Sequence, residues 1–538
     1  MNPENKRFLA AVAFSFLILI LYPVYLKWVT PKSVSSPAAQ GGVGQTHAQV
    51  LQSEKQSEQL PQATQGKNEH FYDLGNSQAI ARFSDLGASV VEFKLIHWGK
   101  KTKEDGILLI SPSPEGEGSF LTSLPGQGED FKDILYHVSR YDANLKEIEF
   151  TTQSQNWRLT KTYRLDLVKP AIFLNVLIEN LSDSEKQTPF ELTSHFVIAK
   201  DPRNQTQAAS IAALSDKLVS SNDSKIKKKP LLVEGAIQWQ ALTRHFFALI
   251  IRPDSPAAFS KSTVGDPHFV YNDLSFAAQP VAAGQKLERS FFIYIGPQYY
   301  KELKAMGFDQ ILSQGFFGIF KLGLLLGLQW TYRVVGNYGW AIILITCAVK
   351  LLFTPLTHMS FESMKKMQAL QPKLKALQEQ YKNDQAKLSR EMMELYKKHK
   401  VNPMGGCLPM FLQIPVFIAF YQVLAQTVEL QGAPFVLWIR DLSEPDRIWT
   451  LPFSLPFLGD ALNVLPLLML GSMVWQQRLT PQTAGTPEQQ KMMAIMPIAF
   501  GFIFYSLPSG LVLYWFVNNL LSILHQLFIK GKALPHHD

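Results

Sequence analysis

Lys350 is the residue with the most chemistry to offer in this chain. It lies between Val349 and Leu351, inside the apolar run from Gly336 to Pro355. A lysine at a bilayer centre costs roughly 2.5–3.5 kcal/mol on insertion scales, so it normally faces a wet cavity or a partner. The bland alternative is snorkelling, because Pro355 follows closely and the ammonium would then reach nearby headgroups. Thr346 stands one helical turn before Lys350 and shares its face. Gln413, Gln422 and Gln426 fall in a second apolar run. Gln476 and Gln477 end a third, and Asn518 and Asn519 sit in the last. Taken singly, each amide reads as an interhelical hydrogen bond worth about 0.6 kcal/mol. No acidic residue in these runs stands near Lys350 to neutralise it. As a set they suggest a positive, amide-lined cavity open to the cytoplasm.

Other chemistries find no support. There is no GxxxxGK[ST] phosphate loop, no HExxH and no GxSxG. The two cysteines, Cys347 and Cys407, belong to apolar stretches, and no Cys/His grouping has metal-ligand spacing. No cofactor or metal is expected. The formal net charge of +8 over 538 residues is mild and points to no specific nucleic acid.

The elements that would position Lys350 are membrane helices. A spanning helix needs about 20 apolar residues. Phe8 to Leu26 is uncharged, flanked by Lys6, Arg7 and Lys27, and reads as an uncleaved anchor within residues 1–28. Residues 29–70 are rich in Ser, Gln, Gly, Pro and Ala and read as a flexible linker. Over 71–300 the pattern is short strands. Trp157, Leu159, Lys161, Tyr163 and Leu165 alternate with polar neighbours. Ala171–Ile178, His245–Ile251 and Phe291–Ile295 are apolar and strand-like. The expectation is a β-sandwich domain. Lys225, Lys227, Lys228 and Lys229 read as a surface turn within it.

Helical patterning follows. Ile311–Trp330 carries Gln314 and Lys321 and reads as an amphipathic helix on the outer surface, within 301–334. Clearer spans are 335–357, Leu408–Val428, Phe457–Trp475, and Met492–Phe528. Pro508-Ser509-Gly510 breaks the last into two by a tight turn. With the anchor this makes six transmembrane helices, the last four within 404–529, and a short cytoplasmic tail at 530–538. The segment between His358 and Lys400 holds ten Lys/Arg against five Asp/Glu, a net of +5, and belongs in the cytoplasm. The Glu429–Ala461 loop holds two Arg against five Asp/Glu, a net of −3, and belongs outside. Both termini then lie in the cytoplasm. Residues 358–403 show apolar positions at spacings of three and four, among them Met364, Met367, Tyr381 and Met392, with a break at Asn383-Asp384. This reads as a cytoplasmic helical hairpin, either packed on itself or acting as a lid or dock through exposed methionines.

Three strings are long enough to carry a resemblance. Asn402-Pro403-Met404-Gly405-Gly406-Cys407-Leu408-Pro409, followed by Gln413-Ile414-Pro415-Val416-Phe417, closely resembles the YidC membrane protein insertase signature at its third span. Pro508 to Trp515 resembles the join of that family's last two spans, although Leu507 stands where some members carry an aromatic residue. Pro434 to Leu442 resembles its outer loop. The likeness runs through about residues 300–530. The anchor, linker and β domain resemble the form found in Gram-negative bacteria.

The resemblance implies a bacterial inner-membrane protein with a periplasmic domain and a five-helix core around a hydrophilic groove. Such a groove is open to cytoplasm and lipid and closed outside. By position Lys350 matches its basic residue. Many members have Arg there, so bidentate pairing is unavailable and a point charge remains. Thr346, Gln413, Phe417 and Trp515 match groove or substrate-contact positions, and Asn518 joins them from its place in the last span. The implied function is non-enzymatic insertion of nascent membrane proteins, alone or with the Sec translocon. The lipid bilayer is a partner. Ribosome contact is expected to be weak, given the short tail. The residues themselves leave two other readings open: a small-solute carrier using Lys350 as an anion site, and a membrane-anchored enzyme working through the β domain.

Overall fold

The computed structural model describes residues 69–96, 106–114, 116–127, 131–197, 208–265, 269–313, 318–381, 384–399, 408–455, 459–479 and 487–531. The expected anchor at 1–28, nearly all of the linker and the tail beyond 531 lie outside the described residues. So do residues 400–407, where the third-span signature begins.

From Phe71 to Pro297 the chain is β-rich, as its alternating pattern requires. Strands β1 (Phe71–Gly75), β2 (Ala79–Ser84), β3 (Ser89–Leu95) and β4 (Ile107–Ile110) form a four-stranded sheet. Thirteen further strands, β5 (Leu121–Ser123) to β17 (Lys286–Pro297), form a second. β8 (Trp157–Leu165) and β9 (Ala171–Asn180) lie side by side in it, with β17 beyond β9. The alternate residues of β8 point into one shared core. Phe83 of the small sheet meets Tyr163 of the large one at 5.0 Å between ring centroids.

Lys161 holds an inward position of β8 and is wholly buried. Its Nζ donates to the carbonyls of Gly87 (3.0 Å) and Phe120 (2.7 Å). Tyr163 donates its hydroxyl to the Ala88 carbonyl at 2.7 Å. Gly87, Ala88 and Phe120 all have positive φ and lie outside the strands, so no ladder serves their carbonyls. Lys161 and Tyr163 supply the missing donors, and burial pushes the Lys161 amine well below the usual lysine range.

The pattern at His245–Ile251 is corrected. His245 and Phe246 form the turn between β13 (Leu231–Arg244) and β14 (Phe247–Pro253), with His245 at φ 45°. The lysine run is exposed, as expected, around the single turn α1 (Asp223–Ile226).

His195, in β10 (Lys186–Val197), gives the domain a pH dependence. It is 2% exposed, and its Nε2 donates to the Ser111 carbonyl at 2.9 Å. Burial is the main cause lowering its pKa to about 4 from 6.5. The unfolded chain takes up a proton near pH 6.5 while the folded one resists it. Stability is therefore complete above about pH 6.5 and falls by about 3 kcal/mol as pH drops to 4. Denaturation midpoints at pH 7 and pH 4 test this. The gap between them is expected to shrink in His195→Gln.

The helical half begins with α2 (Tyr300–Met306), a 3₁₀ turn at Asp309–Ser313, and α3 (Gly318–Val335). The expected interfacial helix over 301–334 is thus three pieces. Gly307 at φ 82° ends the first in a left-handed cap. Leu303 and Phe308 are buried, with Phe308 edge-on to Trp239 at 5.6 Å. α3 is two-faced. Leu325, Leu328 and Thr331 are buried, while Ile319, Phe320, Trp330 and Val334 are exposed.

α4 (Tyr338–Ala369) corrects the expected boundary at residue 357, since it runs straight through Pro355 into the hairpin region. Proline removes one helical donor, and membrane helices tolerate this where side chains re-bond the backbone. Pro355 leaves the Leu351 carbonyl without its helical amide, while Thr354 and Thr357 add side-chain bonds to the neighbouring carbonyls of Lys350 and Phe353, each at 2.8 Å. The hairpin arms are the end of α4 with α5 (Gln371–Gln380), then α6 (Gln385–Lys398). Asp384 caps α6 by accepting from the Lys387 amide at 3.0 Å.

The expectation of exposed methionines is also corrected. Met364 and Met367 are buried and Met392 and Tyr381 are half-buried; Met359 and Met393 carry the exposure. Met367, Leu370, Leu374 and Tyr396 form a small core of their own. Leu374→Ala should cost this core about 2–4 kcal/mol. Amide exchange over residues 371–398 is the measurement, and faster exchange there with unchanged exchange in β8 is the expected result.

α7 (Leu408–Gln426) follows. The run expected as a span from Phe457 is corrected, because a hairpin of β18 (Arg447–Leu455) and β19 (Gly459–Asn463) occupies its start. Helix α8 begins only at Val464 and ends at Leu479. α9 (Pro487–Phe504) and α10 (Ser509–Gly531) are separated at Tyr505–Pro508, as the Pro508-Ser509-Gly510 signal requires. Among the described residues two helices are long and apolar enough by themselves to cross a membrane, Tyr338–Ala369 and Ser509–Phe528. Gln413–Leu424 and Ile495–Phe504 are shorter apolar helices.

Candidate functional site

The site is built where α4 meets α10. Lys350 on α4 reaches across, and its Nζ donates to Ser522 Oγ at 2.6 Å and to Asn518 Oδ1 at 3.4 Å. Both partners lie on one face of α10, a helical turn apart. Ser522 in turn donates to the Asn518 carbonyl at 2.8 Å. Among the described residues no ion pair neutralises Lys350. Neutral oxygens therefore hold a full charge.

A cavity of about 30 Å³ adjoins the lysine, lined by Thr346, Val349, Phe353, Leu356, Thr357, Gln413, Tyr514 and Asn518. That is room for a water or two, and the wall offers enough polar atoms to hold them. Gln413 reaches in from α7, and its Nε2 donates to the Tyr514 hydroxyl. Thr346 is buried and its hydroxyl donates to the Ile342 carbonyl at 2.6 Å, so it contributes an oxygen surface rather than a free donor.

The sequence reading thus places Lys350, Thr346, Gln413 and Asn518 in one cavity. Phe417 and Trp515 do not line it. They stand beside it in an aromatic cluster with Phe500 and Phe504. Phe417 is edge-on to Trp515 at 5.0 Å, and Trp515 stacks near Phe500 at 5.8 Å. This cluster joins α7, α9 and α10. Met364, Met367, Tyr381 and Met392 belong to the hairpin and take no part in the cavity. Asn519 points elsewhere, donating to Ser472 Oγ at 3.0 Å as plain interhelical glue.

Ser522 and Tyr514 were missed. A serine four residues after Asn518 shares its face, and that spacing was the available signal. His358, Glu362 and His525 were missed as well. His358 Nε2 lies 3.5 Å from Glu362 Oε1, and the His525 ring stands 6.2 Å from that of His358.

At the opposite end the helices are tied to the 429–463 loop. Gly510 and Ser509 donate their amides to the carbonyls of Leu442 (2.9 Å) and Glu444 (2.8 Å). Asn337 donates to the Pro434 carbonyl at 3.1 Å. Asp446 is 4% exposed and accepts from Trp438 Nε1 (2.9 Å) and the Leu465 amide (2.7 Å). Gly339 admits the Phe435 ring where any Cβ would stand 1.9 Å from its Cδ2. These bonds close one end of the helix cluster.

Comparison with known proteins agrees along the chain. Residues 330–535 match the family model described as 60Kd inner membrane protein, and residues 75–325 match the YidC periplasmic domain. The membrane protein insertase YidC of Pelobacter propionicus is 34% identical, covering 98% of this chain and 99% of that protein. That of Geotalea daltonii is 35% identical over 85% of each chain. A crystal structure of an active YidC insertase with its first transmembrane domain resolved is 16% identical. It covers 88% of this chain and 94% of that one, with a TM-score of 0.38. A putative aldose 1-epimerase of Escherichia coli K12 covers 42% of this chain at 10% identity and a TM-score of 0.32.

Proposed function

The chain belongs to the YidC family of membrane protein insertases, and on that premise we propose that Lys350 is the working charge of an insertion groove. The observation that carries this reading is an ammonium held between α4 and α10 by Ser522 and Asn518, beside a small polar cavity. Neutral oxygens hold it loosely enough for an incoming carboxylate to compete, since hydrogen bonds to an ionised acceptor are the stronger ones.

The groove opens to the cytoplasm and to lipid, and the bonded 429–463 loop closes it on the periplasmic side. A client's acidic or polar segment enters toward Lys350. Its apolar segment moves along the Phe417–Trp515 cluster into lipid. Burial of that segment, at about 25 cal/mol per Å², supplies the driving force, so no nucleotide is needed. The membrane potential assists outgoing acidic segments by about 2.3 kcal/mol per charge per 100 mV.

The full topology follows from the charge pattern. Six spans run from an anchor at 1–28, both termini are cytoplasmic, the β domain is periplasmic, and the 358–403 hairpin stands at the groove's cytoplasmic mouth. Clients are nascent membrane proteins, received directly or beside the Sec translocon, with weak ribosome contact. Both relatives described above are named as membrane protein insertases, which supports this reading over a carrier or an enzyme.

The test is photocrosslinking in nucleotide-free proteoliposomes, with a photoreactive residue at 417, at 515 and at the exposed Ile319 of α3. Capture of a stalled client's apolar segment at 417 and 515, but not at 319, is expected. Equal capture at all three positions contradicts a defined path.

A further inference from the structure

The 429–463 loop exposes apolar side chains while drawing four of its acids inward. Four of its acidic residues are withdrawn from the surface: Asp446 is buried, and Glu429, Asp441 and Glu444 are half-buried. Leu430, Ile439 and Leu442 are buried against the helices, while a second set of large apolar side chains faces outward. Leu437 is 85% exposed and Trp449 is 70% exposed, with Val436, Ile448 and Leu462 exposed beside them. The two arginines, Arg440 and Arg447, are exposed as well. Over residues 429–449 the exposed side chains are therefore apolar groups and cations rather than acids.

Leu437 also sits at φ 60°, a left-handed conformation that a branched aliphatic residue rarely adopts. Its neighbours hold it there. The Phe435 amide donates to the Ile439 carbonyl at 2.9 Å, and Trp438 is bonded to Asp446. The turn thus projects a leucine outward at a backbone cost, a combination that marks functional contacts.

This surface continues directly into faces exposed on the helices. Trp449 pairs across the hairpin with Leu462, one residue before Asn463 leads into α8, where Leu467 and Leu468 are exposed. On the other side Trp340, at the start of α4, packs edge-on to Phe435 at 5.6 Å. Exposed apolar side chains, tryptophan and arginine at the end of membrane helices are the composition of a lipid interface.

We propose that the 429–463 loop lies in the outer leaflet, with Leu437 and Trp449 immersed below the phospholipid phosphates and Arg440 and Arg447 at their level. The loop is then a lipid-seated float for the closed end of the groove rather than an aqueous cap. The inference rests on the membrane orientation proposed above.

The test uses full-length protein in phospholipid nanodiscs, with Cys347→Ser and Cys407→Ser as background. A polarity-sensitive fluorophore is attached singly to Leu437→Cys, Trp449→Cys, Leu352→Cys on α4, or Lys228→Cys in the β-domain turn. Iodide and lipids carrying nitroxides at shallow or deep acyl positions are the quenchers. The expected result is quenching of 437 and 449 by shallow nitroxide, with iodide quenching at least about threefold weaker than at 228, as an interfacial site requires. If 437 and 449 are as open to iodide as 228 while 352 answers only to nitroxide, the inference is overturned and the spanning assignment of α4 stands. If 352 is itself open to iodide, both fall. The two loop sites report independently, so one misfolded variant does not hide the answer.

Discussion

Lys161→Ala should lower the stability of the β-rich domain by about 3–5 kcal/mol, the largest single effect expected outside the helices. Two losses combine. The Gly87 and Phe120 carbonyls keep their buried positions without a donor, and a cavity opens where the lysine stem packed. Lys161→Met separates the two, because it restores most of the volume but no hydrogen bond. It should recover about 1–2 kcal/mol of the loss. Pulse proteolysis in urea on the detergent-solubilised protein measures both. A midpoint for Lys161→Ala within error of wild type would mean that the turns at 87 and 120 hold themselves.

That lysine marks the limit of what a sequence pattern reveals. The period of two placed it correctly among the inward residues of β8. Nothing local could announce partners 74 and 41 positions away. The same division holds in the helical half. The break at Pro508-Ser509-Gly510 was legible because proline and glycine act through their own backbone. The run through Pro355 was not, because a membrane helix tolerates a proline where its surroundings hold it, and no local pattern announces that. The start of the expected fourth span was misread for another reason. Its apolar residues suit a strand or a helix equally, and only pairing with β18 decides for a strand.

At the candidate site the residue types were legible and the wiring was not. Lys350, Thr346, Gln413 and Asn518 were found because polar groups are conspicuous in apolar runs. Ser522 was overlooked because one serine in a helix usually bonds its own backbone. It does so here, and accepts from Lys350 as well. Phe417 and Trp515 came from the family resemblance, since no pattern separates a contact aromatic from a packing one. Their cluster with Phe500 and Phe504 stabilises three helices, whatever else it does.

The charge of Lys350 is the centre of the functional account. A carboxylate at about 4 Å from an ammonium gains about 4 kcal/mol at an effective dielectric of 20, before the cost of leaving Ser522 and Asn518. Half of that surplus is worth more than tenfold in rate or occupancy. Lys350→Arg keeps the charge and should stay within about threefold of wild type, while Lys350→Ala removes it. A client with a neutral exported segment draws little on the charge and serves as the internal control for folding.

The decisive measurement is the insertion rate of two short clients, one with an acidic exported segment and one with a neutral one. It is scored by protease protection in cells depleted of their own insertase and supplied with wild type, Lys350→Arg or Lys350→Ala. The account predicts that Lys350→Ala slows the acidic client at least about tenfold, leaves the neutral client within about twofold, and that Lys350→Arg inserts both. Insertion of the acidic client by Lys350→Ala at the wild-type rate would contradict it, and would make Lys350 a snorkelling residue in a groove that works without charge.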